Sequence, residues 1–537
     1  MPKKISLDRD ALQKLLVGAN ILADTVGLTL GPRGRNVLLS RKDEQSGAEL
    51  PPLITNDGDT IAKAISLSDP MENMGVQLLR EAAAKTNDTA GDGTTTATVL
   101  AQAILRGGYR NIAAGADPLQ LRSGMAAAVQ AAQTALERGT IPAKSKADIS
   151  RVASISSGEE ELGGLIADAL EQVGVHGVVT VEEGTGFHTV LNVAEGMSFS
   201  RGILTPNFWK PQEEREITLQ NPYILVTDKK ISKIQDLVPI LEDVINEPQP
   251  RPLLIIAEEV TGEALATLIM NRKQGVIEVL CIHPPEFGEG RTAMLEDIAI
   301  LTGGVFLSDA FGHELPETTL DMLGSADSVK IDDHDTVIAG GHFDADVLKQ
   351  KTDSLKRLIE TTDYEFKNKR YRERLARLTG GVAVLKAGGA TETEIRERKL
   401  RAEDAVHAAQ AAMAGGVVPG GGTAYLRAIL AVEQLAQSLS GDQRTGAMLL
   451  AHALEAPARQ IASNAGAEPG EVVCKVKEME GGMGFDAAAL QYTDLLERGI
   501  LDPLLVVKSA LENAASIAAT ILTSAAGVVN QGPVEKE

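Results

Sequence analysis

The chain has only two cysteines, Cys281 and Cys474. Two thiols are too few for a disulfide framework or a thiolate metal site. Aromatic residues are 3% of the total, with a single tryptophan, so Ala and Gly must carry much of the packing through close helix contacts. Positive charge is also in deficit: 52 Lys plus Arg stand against 74 Asp plus Glu, a formal charge of −22. Such a surface repels phosphate backbones and anionic membranes, and neither nucleic acid nor membrane is expected as a partner. No GxxxxGKS/T loop, no GxGxxG between a strand and a helix, and no HExxH pairing occurs. Asp332, Asp333, His334 and Asp335 read as a solvated turn. The stretch Met1 to Leu16 is charged and amphipathic without a signal-peptide core, which predicts a cytoplasmic location. The longest apolar stretch, Ala510 to Val529, is interrupted by Glu512, Asn513, Ser516, Thr520, Thr523 and Ser524. It reads as a packed helix and not as a span.

What is present falls into two characters. At 537 residues, about 150 residues per domain gives about three or four domains, and a 43% hydrophobic share is ample for their cores. Residues 8–30, 72–138, 423–465 and 509–526 are Ala-rich with helical periodicity. In the last, Leu511, Ala514, Ala518, Ile521 and Ala525 recur at steps of three and four. The middle alternates instead. Residues 223–227, 252–257 and 276–282 read as buried strands, with helices predicted over 233–246 and 262–273. This βαβαβ segment calls for a sheet of its own, inserted between two halves of a helical domain. Pro142, Gly196, Gly380-Gly381 and Gly415-Gly416 stand at the composition shifts, where such an insertion would hinge, although each also suits an ordinary turn.

The strongest local signal is Ala90-Gly91-Asp92-Gly93-Thr94-Thr95-Thr96-Ala97, which runs directly into an apolar helix. Glycines allow close backbone approach, and the free amides of a helix start attract anions. A carboxylate among phosphate donors would repel the ligand unless a cation lay between, so Asp92 points to Mg²⁺. An Asp-Gly turn with a Thr cap fits the same letters. Further glycine clusters are Gly31-Pro32-Arg33-Gly34-Arg35 and Pro419-Gly420-Gly421-Gly422-Thr423. Asp57 sits in the turn Thr55-Asn56-Asp57-Gly58, and Asp404 in a long charged helix, where spacing alone does not select it over Glu403. In the middle segment, Leu237, Val238, Ile240, Leu241, Val244 and Ile245 wrap too far around one helix for a single buried stripe. Leu265, Leu268, Ile269 and Met270 do the same on the next, leaving room for an open apolar patch.

Taken together and in this order, the segments closely resemble group I chaperonins of the GroEL type from end to end. The matching strings are Thr29-Leu-Gly-Pro-Arg-Gly-Arg-Asn-Val37, Asn73-Met-Gly75, Ala90 through Ala103, Val193-Ala-Glu-Gly-Met197, Asp228-Lys-Lys-Ile-Ser232, Ala299-Ile-Leu-Thr-Gly-Gly304, Gly380-Gly-Val-Ala-Val384 and Gly499-Ile-Leu-Asp-Pro503. The resemblance implies a multi-domain fold, part all-α and part α/β. It comprises a helical equatorial ATPase domain (1–140 and 416–537), a small intermediate domain (141–194 and 373–415) and an inserted α/β apical domain (195–372). It implies double heptameric rings, Mg²⁺ and ATP, with K⁺ as a further candidate ion. The implied partners are non-native polypeptides and a GroES-type co-chaperonin. By the same resemblance, Thr29, Leu30, Gly31, Pro32, Asp92, Gly93, Thr94, Thr95 and Thr96 hold the phosphates, with Asn56 beside them. Asp92 ligates Mg²⁺, while Gly421, Asp486, Ala487, Ala488 and Asp502 contact adenosine. Asp404 and Asp57 handle the attacking water. Ile203, Asn207, Phe208, Val238, Leu241, Leu265, Ile269 and Met270 form the polypeptide-binding patch, and Pro142, Gly196, Gly381 and Gly416 are the hinges.

Several positions depart from the family pattern. Asn56 stands where a lysine is usual, Asp486 replaces an asparagine, and Asn207 puts a polar group in the apical patch. Asp327 replaces a lysine that the family pairs with the position of Asp88, and the chain end lacks Gly-Gly-Met repeats. Two other functional classes stay open at this level: a module that holds unfolded chains but cycles ATP poorly, and a metabolic kinase built on the same glycine turns.

Overall fold

Glycine decides how the helices at the two ends of the chain meet. In the computed structural model, which describes residues 3–42, 49–143, 145–174, 178–184, 186–209, 215–286, 288–362 and 364–530, helices Asp8–Gly27 and Pro70–Ala90 cross at a pair of glycines. A Cβ on Gly18 would lie 1.8 Å from the Glu72 carbonyl oxygen, and one on Gly75 would lie 2.1 Å from that of Leu15. Helices Pro118–Arg138 and Gly441–Ala453 repeat the device, with Gly124 against Gln443 O at 1.9 Å and Gly446 against Leu121 O at 2.2 Å. Only hydrogen fits at such crossings, so backbones touch and dispersion replaces the missing aromatic bulk.

These helices join Thr94–Ala113, Thr423–Ser438, Ala456–Asn464 and Leu504–Leu522 around one core, in which Leu22, Leu79, Leu100 and Ile104 pack with Leu450, Leu511 and Ile521. Both ends of the chain therefore build a single body. They are tied once more where strand Lys3–Leu7 pairs antiparallel with Ala526–Asn530. Leu504–Leu522 is long and apolar enough to cross a membrane, yet Leu511, Ala514, Ala518 and Ile521 are fully buried in this core.

The middle of the chain holds the expected βαβαβ unit: strands Tyr223–Thr227, Leu253–Ile256 and Val279–Ile282 lie parallel, with helices Val238–Ile245 and Gly262–Lys273 between them. The first helix is shorter than predicted, because the chain enters it through a separate 3₁₀ turn, Ile234–Asp236, and restarts at Val238 with Pro239 in its first turn. The third strand starts late, since the Val276 N–H is still bound to Asn271 O at the preceding helix end. The expectation of a sheet of its own is corrected. Strand Gly324–Asp332 continues the same sheet through Thr336–Gly341 and Val190–Phe199 into Gly381–Ala387 and Val178–Glu183.

That continuity passes through two of the predicted hinge glycines. Strand Val190–Phe199 pairs with Gly381–Ala387 up to Glu195 and with Thr336–Gly341 from Gly196 onward, so Gly196 and Gly381 lie at the handover. Neither has a positive φ, so neither is held there by a backbone angle that other residues resist. Gly196 is required sterically, since a Cβ would lie 2.2 Å from Ile338 O, whereas at Gly381 the nearest atom would be at 3.4 Å. Pro142 and Gly416 flank another crossing of two chain segments: Ile141 and Val417 exchange backbone hydrogen bonds, and Gly416 has φ 80°. Between these crossings a small core forms from helices Lys146–Ser157 and Glu160–Val173, the two strands Val178–Glu183 and Gly381–Ala387, and helix Glu392–Gly415.

The glycine crossings make a direct prediction. Gly75→Ala forces two helices apart and should cost about 1–3 kcal/mol, the usual range for overpacking. Gly164, a helical glycine where an added Cβ would meet nothing within 4 Å, should instead gain about 0.5–1 kcal/mol as alanine. Thermal unfolding of the two variants should shift in opposite directions.

Candidate active site

Glycine-rich turns from distant parts of the chain meet along one edge of the helical core. Helix Pro70–Ala90 ends at Gly91 (φ 65°) and helix Thr94–Ala113 begins after Gly93 (φ 88°). A Cβ at Gly91 would lie 2.3 Å from that of His407, and one at Gly93 would lie 2.7 Å from Val506 Cγ1. The turn is thus wedged between helices Glu392–Gly415 and Leu504–Leu522. No side chain caps the new helix, so its first amides are free for an anion, beside the hydroxyls of Thr94, Thr95 and Thr96.

Asp57 approaches from the side. It caps helix Gly58–Ala64, accepting from Asp59 N at 3.1 Å and Thr60 N at 2.8 Å. Gly58 presses on the threonines: a Cβ there would lie 2.7 Å from Thr94 Oγ1 and 2.6 Å from Thr95 Oγ1. Asn56 is the half-buried residue before this cap. Asp404 reaches the same place from helix Glu392–Gly415, and Asp502 from strand Leu501–Pro503, which pairs with Val417–Pro419.

The electrostatics of this meeting are one-sided. Burial pushes the Asp404 carboxyl well above the usual carboxylate range, and Asp92, Asp57, Glu403 and Asp59 push it further. Asp92 is raised by burial and by Asp57, against hydrogen bonds from Gly93 N–H and the Ser156 hydroxyl. Asp502 is pushed up to about 7 by burial and by Asp92. Among the described residues none of Asp57, Asp92, Asp404 and Asp502 forms an ion pair; the nearby Lys63 goes to Asp59 at 2.6 Å. Half-buried acids crowded together without a counter-charge favour a proton or a cation between them. The described residues contain no group of three or more His, Cys, Asp or Glu able to hold a metal. A cation at Asp92 would therefore need oxygens from outside the protein, as Mg²⁺ takes them from phosphate and water. The residues fit that ion.

The remaining turns form a continuous rim. Thr29 Oγ1 donates to Val26 O at 2.8 Å, and Asn464 Nδ2 holds the carbonyls of Gly27 and Leu30 at 2.8 and 2.9 Å. Gly31 has φ 85°, and a Cβ there would press on Ile461 at 3.2 Å. Past Pro32, Arg33 donates to Ala488 O at 2.8 Å, linking the first turn to Asp486, Ala487 and Ala488. Asp486 fixes that loop by accepting from the N–H groups of Ala488 and Ala489. Gly421 (φ 63°) and Gly422 (φ 77°) open helix Thr423–Ser438, and a Cβ on Gly420 would lie 3.0 Å from Asp502 Oδ1. The structure thus separates Asp404 from Glu403, which sequence could not: Asp404 faces the acids, while Glu403 faces Lys330 and Lys399. It also adds His407 and Ser156. His407 could have been found from its place three residues after Asp404 on one helix face. Ser156 carried no signal.

A cavity of about 1160 Å³ lies beyond Asp57 and Asp404, bounded on its far side by Glu216, Lys330 and Arg372. The glycine turns do not line it, so the larger volume flanks the phosphate-type site and is not that site. The apolar patch is partly as expected. Val238, Leu241, Leu265, Ile269 and Ile203 are half-buried, Asn207 is exposed, and Met270 is 56% exposed. Phe208 is corrected: its ring is fully buried. Buried Arg272, paired with Glu278 at 2.7 Å, donates to the Phe208 carbonyl and pins the Pro206–Phe208 turn with the ring inward.

The TCP-1/cpn60 chaperonin family matches residues 22–530 of this chain. Among solved structures, the chaperonin gp146 from the bacteriophage EL 2 (Pseudomonas aeruginosa), crystallised in the presence of ATP-BeFx, is similar over 98% of this chain and 99% of its own. The TM-score is 0.67 at 20% sequence identity, a likeness that speaks for the fold.

The raised carboxyls predict a pH dependence. An unfolded Asp ionises near pH 4, whereas folded Asp502 holds its proton up to about 7. Between those values the folded chain binds more protons, so stability is greatest below the window and is lost as pH rises through it. The thermal midpoint of nucleotide-free protein should fall between about pH 4 and about pH 7 and level off above, and Asp502→Asn should flatten that fall.

Proposed function

Since the chain belongs to the TCP-1/cpn60 chaperonin family, we propose that it is a chaperonin that couples Mg-ATP hydrolysis to the folding of captured polypeptides. The observation that carries this reading is the set of half-buried, unpaired carboxylates around an uncapped helix start. The free amides and hydroxyls of Thr94 to Thr96, with the Thr29–Pro32 turn, would hold phosphates. Gly421, Asp486 to Ala488 and Asp502 would hold the nucleoside. Magnesium at Asp92 would supply the positive charge that phosphate oxygens and carboxylates otherwise lack.

Asp57 and Asp404 then have different tasks. Asp57 is locked by the two N–H groups it caps, which suits it to fixing the position of a water. Asp404, with its carboxyl pushed upward by burial and neighbouring acids, has greater affinity for a proton and suits the general base. Residues 1–140 with 416–537 would be the nucleotide-binding domain, 141–194 with 373–415 the intermediate domain, and 195–372 the polypeptide-binding domain. Half-buried Leu241, Leu265 and Ile269 would contact apolar segments of a non-native chain, and a GroES-type co-chaperonin would close the cavity in the cytoplasm.

Self-assembly has its own support. Ile5, Leu7 and Val528 are exposed on the terminal strand pair, and Leu38 is 68% exposed on the hairpin Val37–Lys42/Glu49–Thr55. These are apolar side chains on two-stranded ribbons, which need further partners to be stable. Native mass measurement at micromolar concentration should give a heptamer or its double; a stable monomer would contradict the ring.

Hydrolysis separates the two acids. Asp404→Ala should slow single-turnover ATP hydrolysis by about two orders of magnitude or more, the scale of a lost general base, and leave ATP affinity nearly unchanged. Asp92→Ala should weaken Mg-ATP binding itself. Parent-rate hydrolysis by Asp404→Ala would remove it from the chemistry.

A further inference from the structure

Helix Glu392–Gly415 carries charge on two edges. Asp404 and His407 face the Gly91–Gly93 turn. Lys399 and Glu403, four residues apart, share another edge, because successive residues are turned by about 100°. That second edge meets the polypeptide-binding sheet. Glu216 and Lys330 stand on the neighbouring strands Glu216–Gln220 and Gly324–Asp332, where Glu216 pairs with Asp332 and so shares a face with Lys330. Lys330 Nζ lies 3.0 Å from Glu216 and 3.2 Å from Glu403, and Lys399 Nζ lies 2.7 Å from Glu216 and 3.9 Å from Glu403. Lys330 also donates to Val181 O at 3.3 Å.

The four side chains alternate in sign around a closed ring and are largely withdrawn from water, at 14% exposure for Lys330 and 11% for Lys399. Although burial works against it, the two lysines hold the Glu216 carboxyl below its usual range. Exposed ion pairs are loose, but partly buried ones with several partners have a defined geometry. Two members come from the sheet and two from the helix, so their geometry fixes how far the helix is turned about its axis. Asp404 follows Glu403 directly, and any such turn moves it relative to Asp57 and Asp92.

We propose that Glu216 and Lys330 are positioning residues for hydrolysis, holding Asp404 against the Gly91–Gly93 turn through Glu403 and Lys399. The inference rests on the role given to Asp404 above. Through this quartet, a displacement of the polypeptide-binding sheet reaches the chemical step without passing through the nucleotide contacts.

Lys330→Met keeps the length of the side chain and removes its charge; Glu216→Gln does the same at the other sheet position. Single-turnover hydrolysis and ATP affinity should be measured for both, for Lys330→Arg and for Asp404→Ala, each as the assembled full chain. We expect hydrolysis to fall roughly ten- to a hundredfold in Lys330→Met, the scale of a misplaced catalytic group, with ATP affinity unchanged. Lys330→Arg should recover most of that loss. If Lys330→Met does not assemble, Glu216→Gln carries the same expectation. Parent-rate hydrolysis in both neutral variants while Asp404→Ala is slow would overturn the positioning role alone. Parent-rate hydrolysis in Asp404→Ala as well would remove Asp404 from the chemistry, and the role of the quartet with it.

Discussion

Mutual repulsion among half-buried carboxylates is the constraint on which the rest of this structure turns. Asp57, Asp92, Asp404 and Asp502 come from four separate segments and are brought together, half-buried, without an ion-pair partner among the described residues. Such an arrangement is unfavourable for the empty protein at neutral pH and becomes favourable with a proton or a metal ion. The packing around it resists the repulsion. Gly91 and Gly93 leave no space for His407 and Val506 to withdraw, and Asp57 is held by its own helix start. The site is therefore poised for a cationic ligand before any ligand arrives.

The scaffold that holds this site is made of contacts between backbones. With few aromatics, the helical body is joined at glycine crossings such as Gly18 with Gly75 and Gly124 with Gly446. A crossing of that kind fixes two helices at one separation and one register, because a shift by one residue brings a Cβ into a carbonyl. The sheet has a different mechanical character. It runs through strand Val190–Phe199, which changes partner at Gly196, so the hydrogen-bonded ladder continues from the strands of the middle segment into those beside helix Glu392–Gly415.

Local pattern reported local structure well. The Ala-rich periodic stretches are helices, the helix Gly262–Lys273 has its predicted bounds, and the strand Tyr223–Thr227 is where its run of buried residues put it. Pairing over long distances was not legible. Nothing in 190–199 announces that its first half pairs with 381–386 and its second with 336–339, because strand partners are chosen by the whole fold. Phe208 was placed in the patch by resemblance alone, and its burial became visible only with Arg272, far along the chain, bound to its carbonyl. The glycine turns were individually ambiguous and became a site only when Arg33, Asn464 and Asp502 joined them. At Asp404, periodicity places the residue on a helix, but which of two adjacent acids faces the turn depends on what packs around that helix.

The union of the two chain ends in one core also bears on how the protein is made. Leu22, Leu79 and Leu100 share one core with Leu450, Leu511 and Ile521, and the first strand finds its partner only at Ala526–Asn530. At a synthesis rate of about 5–20 residues per second, the early helices wait tens of seconds for the segments that cover them. During that interval the growing chain displays an apolar surface and an unpaired strand edge. Each new chain thus passes through a state with its early helices uncovered, and closure of its core waits on segments from the far end of the sequence.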